Sequence, residues 1–342
     1  MNFCSDNVSG VSPEILAALG AVNNGPAMPY GADKITERVI EKLRELFEAP
    51  SAEVILMSTG SSANALALAT MAPPYGAIYC HPDSHVNVDE CGAPEFFSGG
   101  AKLITVGGAD GKMTADALEC AINGADVVHH VQPAAVSVTQ VTEAGTLYSV
   151  DELSAISAVC KTHELKLHMD GARFANAIEA MEVSPAACSH ELGVDALSFG
   201  ATKNGAMCAE AILFFDSTLA KEAGYRRKRG GHLFSKMRYL SAQLDAYLVD
   251  DLWRRNARHS NMMATRLAEG LSMISGVEFA YPVKANELFV RLPLAIIEGL
   301  LADGFMFYRW EQEGSLIRMV TAFDTAEADV DRFIETARRL AG

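Results

Sequence analysis

The stretch VDALSFGATKNGAM, residues 194–207, decides how the chain reads. An apolar run of strand length ends at Phe199, and Lys203 follows among small residues with Asn-Gly behind it. A lysine normally belongs on a solvated face, so one placed where the chain leaves a core points to a ligand. Small neighbours leave space for that ligand, and partial burial favours the neutral, nucleophilic amine. The same strand-then-loop pattern recurs upstream, in AEVILMS (52–58), GAIYCH (76–81), AKLITVG (101–107), ADVVHHV (125–131) and LKLHMD (165–170), and again in EAILFF (210–215). Most of these runs are bounded by Gly, Pro or Asp, as strands are.

Helical patterns separate them, such as ANALALATM after the first and SVDELSAISAVCKTHE (149–164) before the fifth in the series. Ser149 or Asp151 caps the latter, since a short side-chain oxygen accepts from free first-turn N–H groups. Strands alternating with helices predict an α/β fold: a large domain with a mostly parallel seven-stranded sheet between helices. Ligands in such sheets collect beyond the carboxyl ends of the strands. Gly60, Ser61, His85, Asp170 and Lys203 all fall at such ends.

After residue 216 the pattern changes. Residues 233–275 read as long helices with few breaks, followed by the short strand candidates VEFAY, ELFVRL, FMFYRW and LIRMV and a last helix near 326–340. We therefore divide the chain into a large domain, 1–245, and a smaller C-terminal α/β domain, 246–342. There is no internal repeat.

The net charge of −15 argues against a nucleic-acid or anionic-membrane partner, because neutralising phosphates takes a basic surface. RRKR at 226–229 is a local exception and reads as a solvated or inter-subunit loop. Seven scattered cysteines without a C-x-x-C pair fit reduced thiols in a cytoplasmic protein. MNFCSDNVSG shows no secretory pattern, and no apolar run approaches the roughly 20 residues of a membrane span.

Three features carry chemistry. In STGSSANALAL (58–68), a strand runs through Thr59, Gly60 and Ser61 into a helix whose free N–H groups suit a phosphate. An ordinary serine-capped junction reads the same way. In HMDGARFANA (168–177), Asp170 closes a strand where an acid can hold a charged ring nitrogen, and Arg173 can fork onto a carboxylate. A surface Asp170–Arg173 ion pair is the bland alternative. Lys203 is the third. A phosphate turn, a strand-end acid and a strand-end lysine together meet the needs of pyridoxal 5′-phosphate.

The motifs SDNVSG, YGAD, STGSSANALAL, SHVNVDECGAPEFFSGG, HMDGARFANA and SFGATKNGA, with LIRMVTAFDTAEADVDRF near the end, resemble the low-specificity L-threonine aldolases. That resemblance implies the pyridoxal-phosphate-dependent transferase-like fold (fold type I) of the β-eliminating lyases. It implies retro-aldol cleavage of threonine, allo-threonine or a related β-hydroxy-α-amino acid such as phenylserine to glycine and an aldehyde. Lys203 would be the Schiff-base lysine, Asp170 the partner of the ring nitrogen, and Gly60 and Ser61 the phosphate holders. His85 would stack on the cofactor near the substrate hydroxyl and serve as base, directly or through a water. Ser5, Arg173 and Arg318 would hold the α-carboxylate. Tyr30 would approach the site from a neighbouring subunit of a homodimer or homotetramer, and Arg229 or Arg238 would reach the phosphate across that interface. Many members have Glu-Asn-Thr-His where this chain has SVTQ (137–140), so Gln140 would replace a second active-site histidine; it cannot titrate near neutral pH.

His81 and His85, four apart, have metal-ligand spacing, but Pro82 argues against a shared helix, and we expect no metal. His129 and His130 read as packed or hydrogen-bonded. β-Elimination or racemisation on the same scaffold is the alternative reaction, because fold does not fix chemistry. A non-catalytic sensor would need neither Asp170 nor Lys203.

Overall fold

The computed structural model describes residues 1–311 and 314–342. The large sheet is built from β1 (Glu53–Met57), β2 (Gly76–Cys80), β3 (Lys102–Thr105), β4 (Gln132–Thr139), β5 (Lys166–Gly171), β6 (Ala196–Gly200) and β7 (Glu210–Phe214). Its order is β1-β7-β6-β5-β4-β2-β3. Six strands share one direction, and β7 alone runs against its neighbours β1 and β6. The reversal matters for the site: β7 begins on the edge where the other strands end, so its first residue, Glu210, joins their carboxyl-end loops.

The expected strand at 125–131 is not one. That segment is an exposed loop in which Asp126 takes φ of 61° and Val128 is almost wholly solvent-exposed. The Gln132 amide closes it by donating to the carbonyls of Gly124, Val127 and His130. The fourth strand instead follows at 132–139. His129 and His130 accordingly lie in the exposed loop and not in a packed strand.

Helices cover both faces of the sheet. Gly60–Met71 is buried from Ser62 onward on every side, which explains its lack of a polar stripe. Of the two cap candidates for the 149–164 segment, Ser149 is the one used: it accepts from Glu152 N–H, and the Glu152 carboxylate returns to Ser149 N–H. One sheet face packs on an aromatic cluster of Phe47, Phe174, Phe199, Tyr247 and Trp253. The other packs Ile78, Ile212 and Phe214 on Leu66. The long helical region breaks at Asp250 and Asp251, both with positive φ, leaving helices Arg238–Tyr247 and Leu252–Ser272. Asp tolerates that left-handed region better than most residues. RRKR is not a loop but the last turn of helix Ala220–Arg229, where cations are favoured; Arg226 and Arg227 donate to the carbonyls of Phe97 and Leu56.

A second, antiparallel sheet has the order β10-β11-β9-β8, with β8 (Glu278–Phe279), β9 (Glu287–Arg291), β10 (Tyr308–Arg309) and β11 (Leu316–Val320). Its core includes Leu267, Leu288, Ile317 and Phe333. Helix Leu252–Ser272 lends Trp253 and Ala257 to the first core and Ala264, Leu267 and Leu271 to the second. The chain start also belongs to the second core. Phe3 N–H donates to Met306, and its carbonyl accepts from Val320 N–H, which hands Ser5 and Asp6 to the space between the sheets. Among the described residues, no helix is long and apolar enough to cross a membrane.

Candidate active site

Between the strand ends of the large sheet and the edge of the small one lies a cavity of about 1010 Å³. Each catalytic and cofactor-side residue expected from the sequence lines it: Gly60, Ser61, His85, Asp170, Arg173 and Lys203. So do Ser5 and Arg318, the former from the chain start and the latter from β11.

The first wall is the start of helix Gly60–Met71. Thr59 caps it by accepting from Ser62 N–H at 3.2 Å, which spends one free donor on the cap. The N–H groups of Gly60 and Ser61 have no acceptor among the described residues. A Cβ on Gly60 would point into open space, so this turn forms a cradle with room above its donors.

Asp170 stands at the carboxyl end of β5. Asn64 Nδ2 donates to its Oδ2 at 2.8 Å, and Ala172 N–H donates to its Oδ1 at 3.0 Å. It does not pair with Arg173. That guanidinium turns instead to Asp6, with bonds of 2.7 and 3.0 Å, and to Glu287 at 3.2 Å. Burial works against charge on Arg173, but the two carboxylates outweigh it and hold the proton more tightly than usual. Arg318 also binds Glu287 and donates to the Cys4 carbonyl at 3.3 Å. Both arginines therefore sit side by side, each matched by a carboxylate of the chain itself.

Lys203 is half-buried in the 3₁₀ turn after β6 and makes no ion pair among the described residues. Gly205 behind it has φ of 109°, and a Cβ there would strike Ser12 Oγ at 2.2 Å, so only glycine allows this turn. Asn204 anchors the turn through the Tyr247 hydroxyl at 2.6 Å and the Trp253 carbonyl at 2.8 Å. Glu210 flanks the lysine; burial pushes its carboxyl up to about 7.

His85 begins the short helix His85–Val88, and Ser84 precedes it. His81 is outside that helix and bonds to the Gly108 carbonyl; among the described residues no cluster could hold a metal ion. Glu90 accepts a hydrogen bond from His85 Nδ1 at 2.9 Å and another from Asn64 Nδ2. That bond with Glu90 raises the histidine's pKa above its ordinary value, and the Asp170 charge adds to it. Glu143, on the loop after β4, accepts from the His85 backbone N–H at 2.7 Å. Burial, then the charge of Asp170, pushes the Glu143 carboxyl up to about 7.

Gln140 does not face the cavity. Its side chain is fully buried in the opposite direction and exchanges two hydrogen bonds with the Tyr148 backbone, at 2.9 and 3.0 Å. The reading of Gln140 as a replaced active-site group is corrected on that ground; the titratable residue that this loop offers the cavity is Glu143. Tyr30, Arg229 and Arg238 do not line the cavity of their own chain. Tyr30 is half-exposed with Lys228 over its ring, Arg229 is exposed, and Arg238 donates to the Gly25 carbonyl.

Residues 2–294 match the family model described as β-eliminating lyase. The chain belongs to that family. It is 45% identical over 337 residues to the low specificity L-threonine aldolase of Pseudomonas aeruginosa, spanning 98% of this chain and 96% of the relative. It superposes on the threonine aldolase structure from Leishmania major with a TM-score of 0.94 and 32% identity, covering 100% and 99% of the two chains. The serine palmitoyltransferase of Sphingomonas wittichii, at 16% identity and a TM-score of 0.75 over 99% and 86%, shares the fold alone. As a β-eliminating lyase of the threonine-aldolase type, the chain is a pyridoxal-phosphate-dependent enzyme of fold type I.

The residues present fit that cofactor. The open Gly60–Ser61 cradle offers free donors to a phosphate, Asp170 is fixed by two donors, and Lys203 makes no ion pair among the described residues. Sequence reasoning missed Asn64, Glu90, Asp6 and Glu287, which hold the expected residues in place. Asp6 and Glu90 lie inside the motifs SDNVSG and VDECGAPE, so position in a motif was their only sign.

Proposed function

We propose that this chain cleaves L-threonine, L-allo-threonine or a related β-hydroxy-α-amino acid such as phenylserine to glycine and an aldehyde. The observation that carries the reading is the meeting of Gly60, His85, Asp170 and Lys203 on one cavity edge. Bound pyridoxal phosphate supplies an electron sink for the pair released at the α-carbon when the Cα–Cβ bond breaks.

The chain's own residues do the rest. Gly60 and Ser61 N–H groups hold the phosphate, and Lys203 holds the cofactor's aldehyde carbon. Asp170, steadied by Asn64, keeps a proton on the ring nitrogen. Arg173, Arg318 and Ser5 orient the α-carboxylate, which limits the substrate to one direction in the cavity. The β-hydroxyl proton leaves at the His85 end, to the imidazole or to a water it positions. One proton is lost from oxygen and one is gained at the α-carbon, so glycine and a neutral aldehyde balance the substrate.

Tyr30 and one of Arg229 or Arg238 serve the neighbouring site in a cytoplasmic homodimer or homotetramer. Supporting that assembly, Met28, Tyr30, Phe96 and Tyr225 are large apolar side chains left exposed in the single chain. Residues 1–245 and 246–342 act as the two domains between which the site lies.

The test is a product assay on the purified, cofactor-loaded enzyme with L-threonine, L-allo-threonine and phenylserine. Glycine and aldehyde are expected in equal amounts; ammonia with a 2-oxo acid that keeps the whole carbon chain (2-oxobutanoate from threonine, phenylpyruvate from phenylserine), or inverted substrate, would replace this reading with elimination or racemisation. Lys203→Ala should lose both the yellow absorbance and the turnover.

A further inference from the structure

The His85–Glu90 pair raises a question that the proposed reaction leaves open. With Nδ1 tied to the Glu90 carboxylate, the His85 imidazole is held in one orientation and keeps Nε2 free to position a water on the cavity side. A second group at that end of the cavity can then take the proton that such a water gives up. His168 is excluded, because it is fully buried between Ser137 and Ser198 and does not reach the cavity. Glu90 bonds both His85 and Asn64 through Oε1, and its enclosed side chain does not line the cavity.

We propose that Glu143 is the acceptor of the β-hydroxyl proton, which reaches its carboxylate through the water that His85 positions. Three observations place it there. Glu143 lines the cavity and is partly exposed there, so its carboxyl borders the cavity while being largely withdrawn from bulk water. Its Oε1 accepts from the backbone N–H of His85 itself at 2.7 Å, which fixes the carboxyl beside the imidazole. Its other oxygen has no bond to the described residues and is not enclosed.

The groups facing it support a proton held near neutrality. Asp170, at the end of β5, opposes a second negative charge, while His85 and the His85 N–H favour it. Arg173 feels Glu143 among the carboxylates around it. Burial raises the pKa of the Cys80 thiol and, more strongly, of the Tyr148 phenol, so both remain neutral. The carboxyl is pushed up to about 7 by these surroundings, so it both accepts and returns a proton at working pH.

The step balances. The hydroxyl O–H bond breaks as the carbonyl double bond forms and the Cα–Cβ pair passes to the α-carbon. The water gives one proton to Glu143 and takes one from the hydroxyl, and Glu143 later returns its proton to solvent.

This inference rests on the aldolase reading, and Glu143→Gln separates the two. Glutamine keeps an oxygen to accept the His85 N–H but cannot titrate. Expected are a fall in kcat of about 100-fold or more, loss of the rise in kcat/KM across pH 7, and unchanged cofactor absorbance and affinity. Glu143→Ala should be at least as slow. Wild-type turnover and pH profile in Glu143→Gln, whether or not Glu143→Ala is damaged, would reduce Glu143 to a helix cap and overturn the proposal. An independent readout is the infrared carboxyl band of the cofactor-free protein: the wild-type minus Glu143→Gln difference should show a protonated acid disappearing near pH 7. A carboxylate already ionised at pH 5 would also overturn it. Absence of glycine and aldehyde from the wild type would instead defeat the reaction, leaving that titration unaffected.

Discussion

Replacing Glu210 with glutamine should stabilise the cofactor-free protein, and only above mildly acidic pH. Glu210 opens β7 beside Lys203, is 6% exposed, and accepts from Ala201 N–H at 3.3 Å. Burial raises its carboxyl from 4.5 to about 7, against the opposing pull of the Thr202 hydroxyl and the Lys203 charge. Between those two values the folded chain keeps a proton that the unfolded chain has released. Stability therefore falls as pH rises through that window and levels off above it; the loss amounts to about 3 kcal/mol. Glutamine has the same shape, accepts the Ala201 N–H through its amide oxygen, and cannot ionise. Urea unfolding of the cofactor-free wild type and Glu210→Gln should give equal stabilities near pH 4.5 and a variant ahead by about 3 kcal/mol at pH 8. A difference that stays constant across that range would refute the argument, because a shape effect has no pH dependence. A wild type that gains on the variant as pH rises would show that Lys203 pairs with this acid and that the sign is reversed.

His85→Asn should lower kcat by about 100- to 10,000-fold while leaving cofactor absorbance in place, since it removes proton handling and not a phosphate or ring-nitrogen contact; unchanged turnover in a steady-state assay would take His85 out of the reaction. His168 is a buried base whose pKa burial lowers to about 4, and folding keeps it neutral between Ser137 and Ser198. The unfolded chain takes up a proton there first, so stability should drop by about 3 kcal/mol as pH falls from 6.5 to 4. Thermal scans of wild type and His168→Gln over that range check it, and parallel pH profiles would contradict it.

How much of this was legible in the sequence depends on the distance between partners. Strands such as AEVILMS and VDALSF announce themselves because their cores are local apolar runs bounded by turns. QPAAVSVT does not, since Pro133 and two alanines weaken it beside the more apolar VVHHV. The structure prefers the former because Val136 and Val138 are buried in the sheet, whereas Val128 is left in solvent. The site shows the same division. Lys203, Asp170 and Gly60 sit at strand ends, where topology alone sends ligands. Asp6 and Glu287 are 167 residues before and 114 residues after Arg173, and pairing over such separations leaves no local pattern. Gln140 misled for a related reason. A strand's side chains alternate between faces, and at its end the neighbours decide which residue turns inward; the Tyr148 backbone claims Gln140, and Glu143 is left to the cavity.

The arginine pair shows what those distant carboxylates accomplish. Two guanidiniums side by side would repel each other and would be costly to bury alone. Asp6 and Glu287 neutralise them, and Glu287 bridges both while its second oxygen is buried without a partner among the described residues. The cluster is thus neutral before any substrate arrives, and an incoming α-carboxylate is the charge in excess. On the proposed reading it would bind by sharing the donors of Arg173 and Arg318 with Glu287, not by filling an empty positive pocket. Such a site selects for ligands that add contacts of their own. The cavity provides for them with Phe289 and Trp310, ring against ring at 5.2 Å, beneath the Arg318 guanidinium. On the proposed reading, the carboxylate would supply direction and the substrate's remaining atoms the affinity.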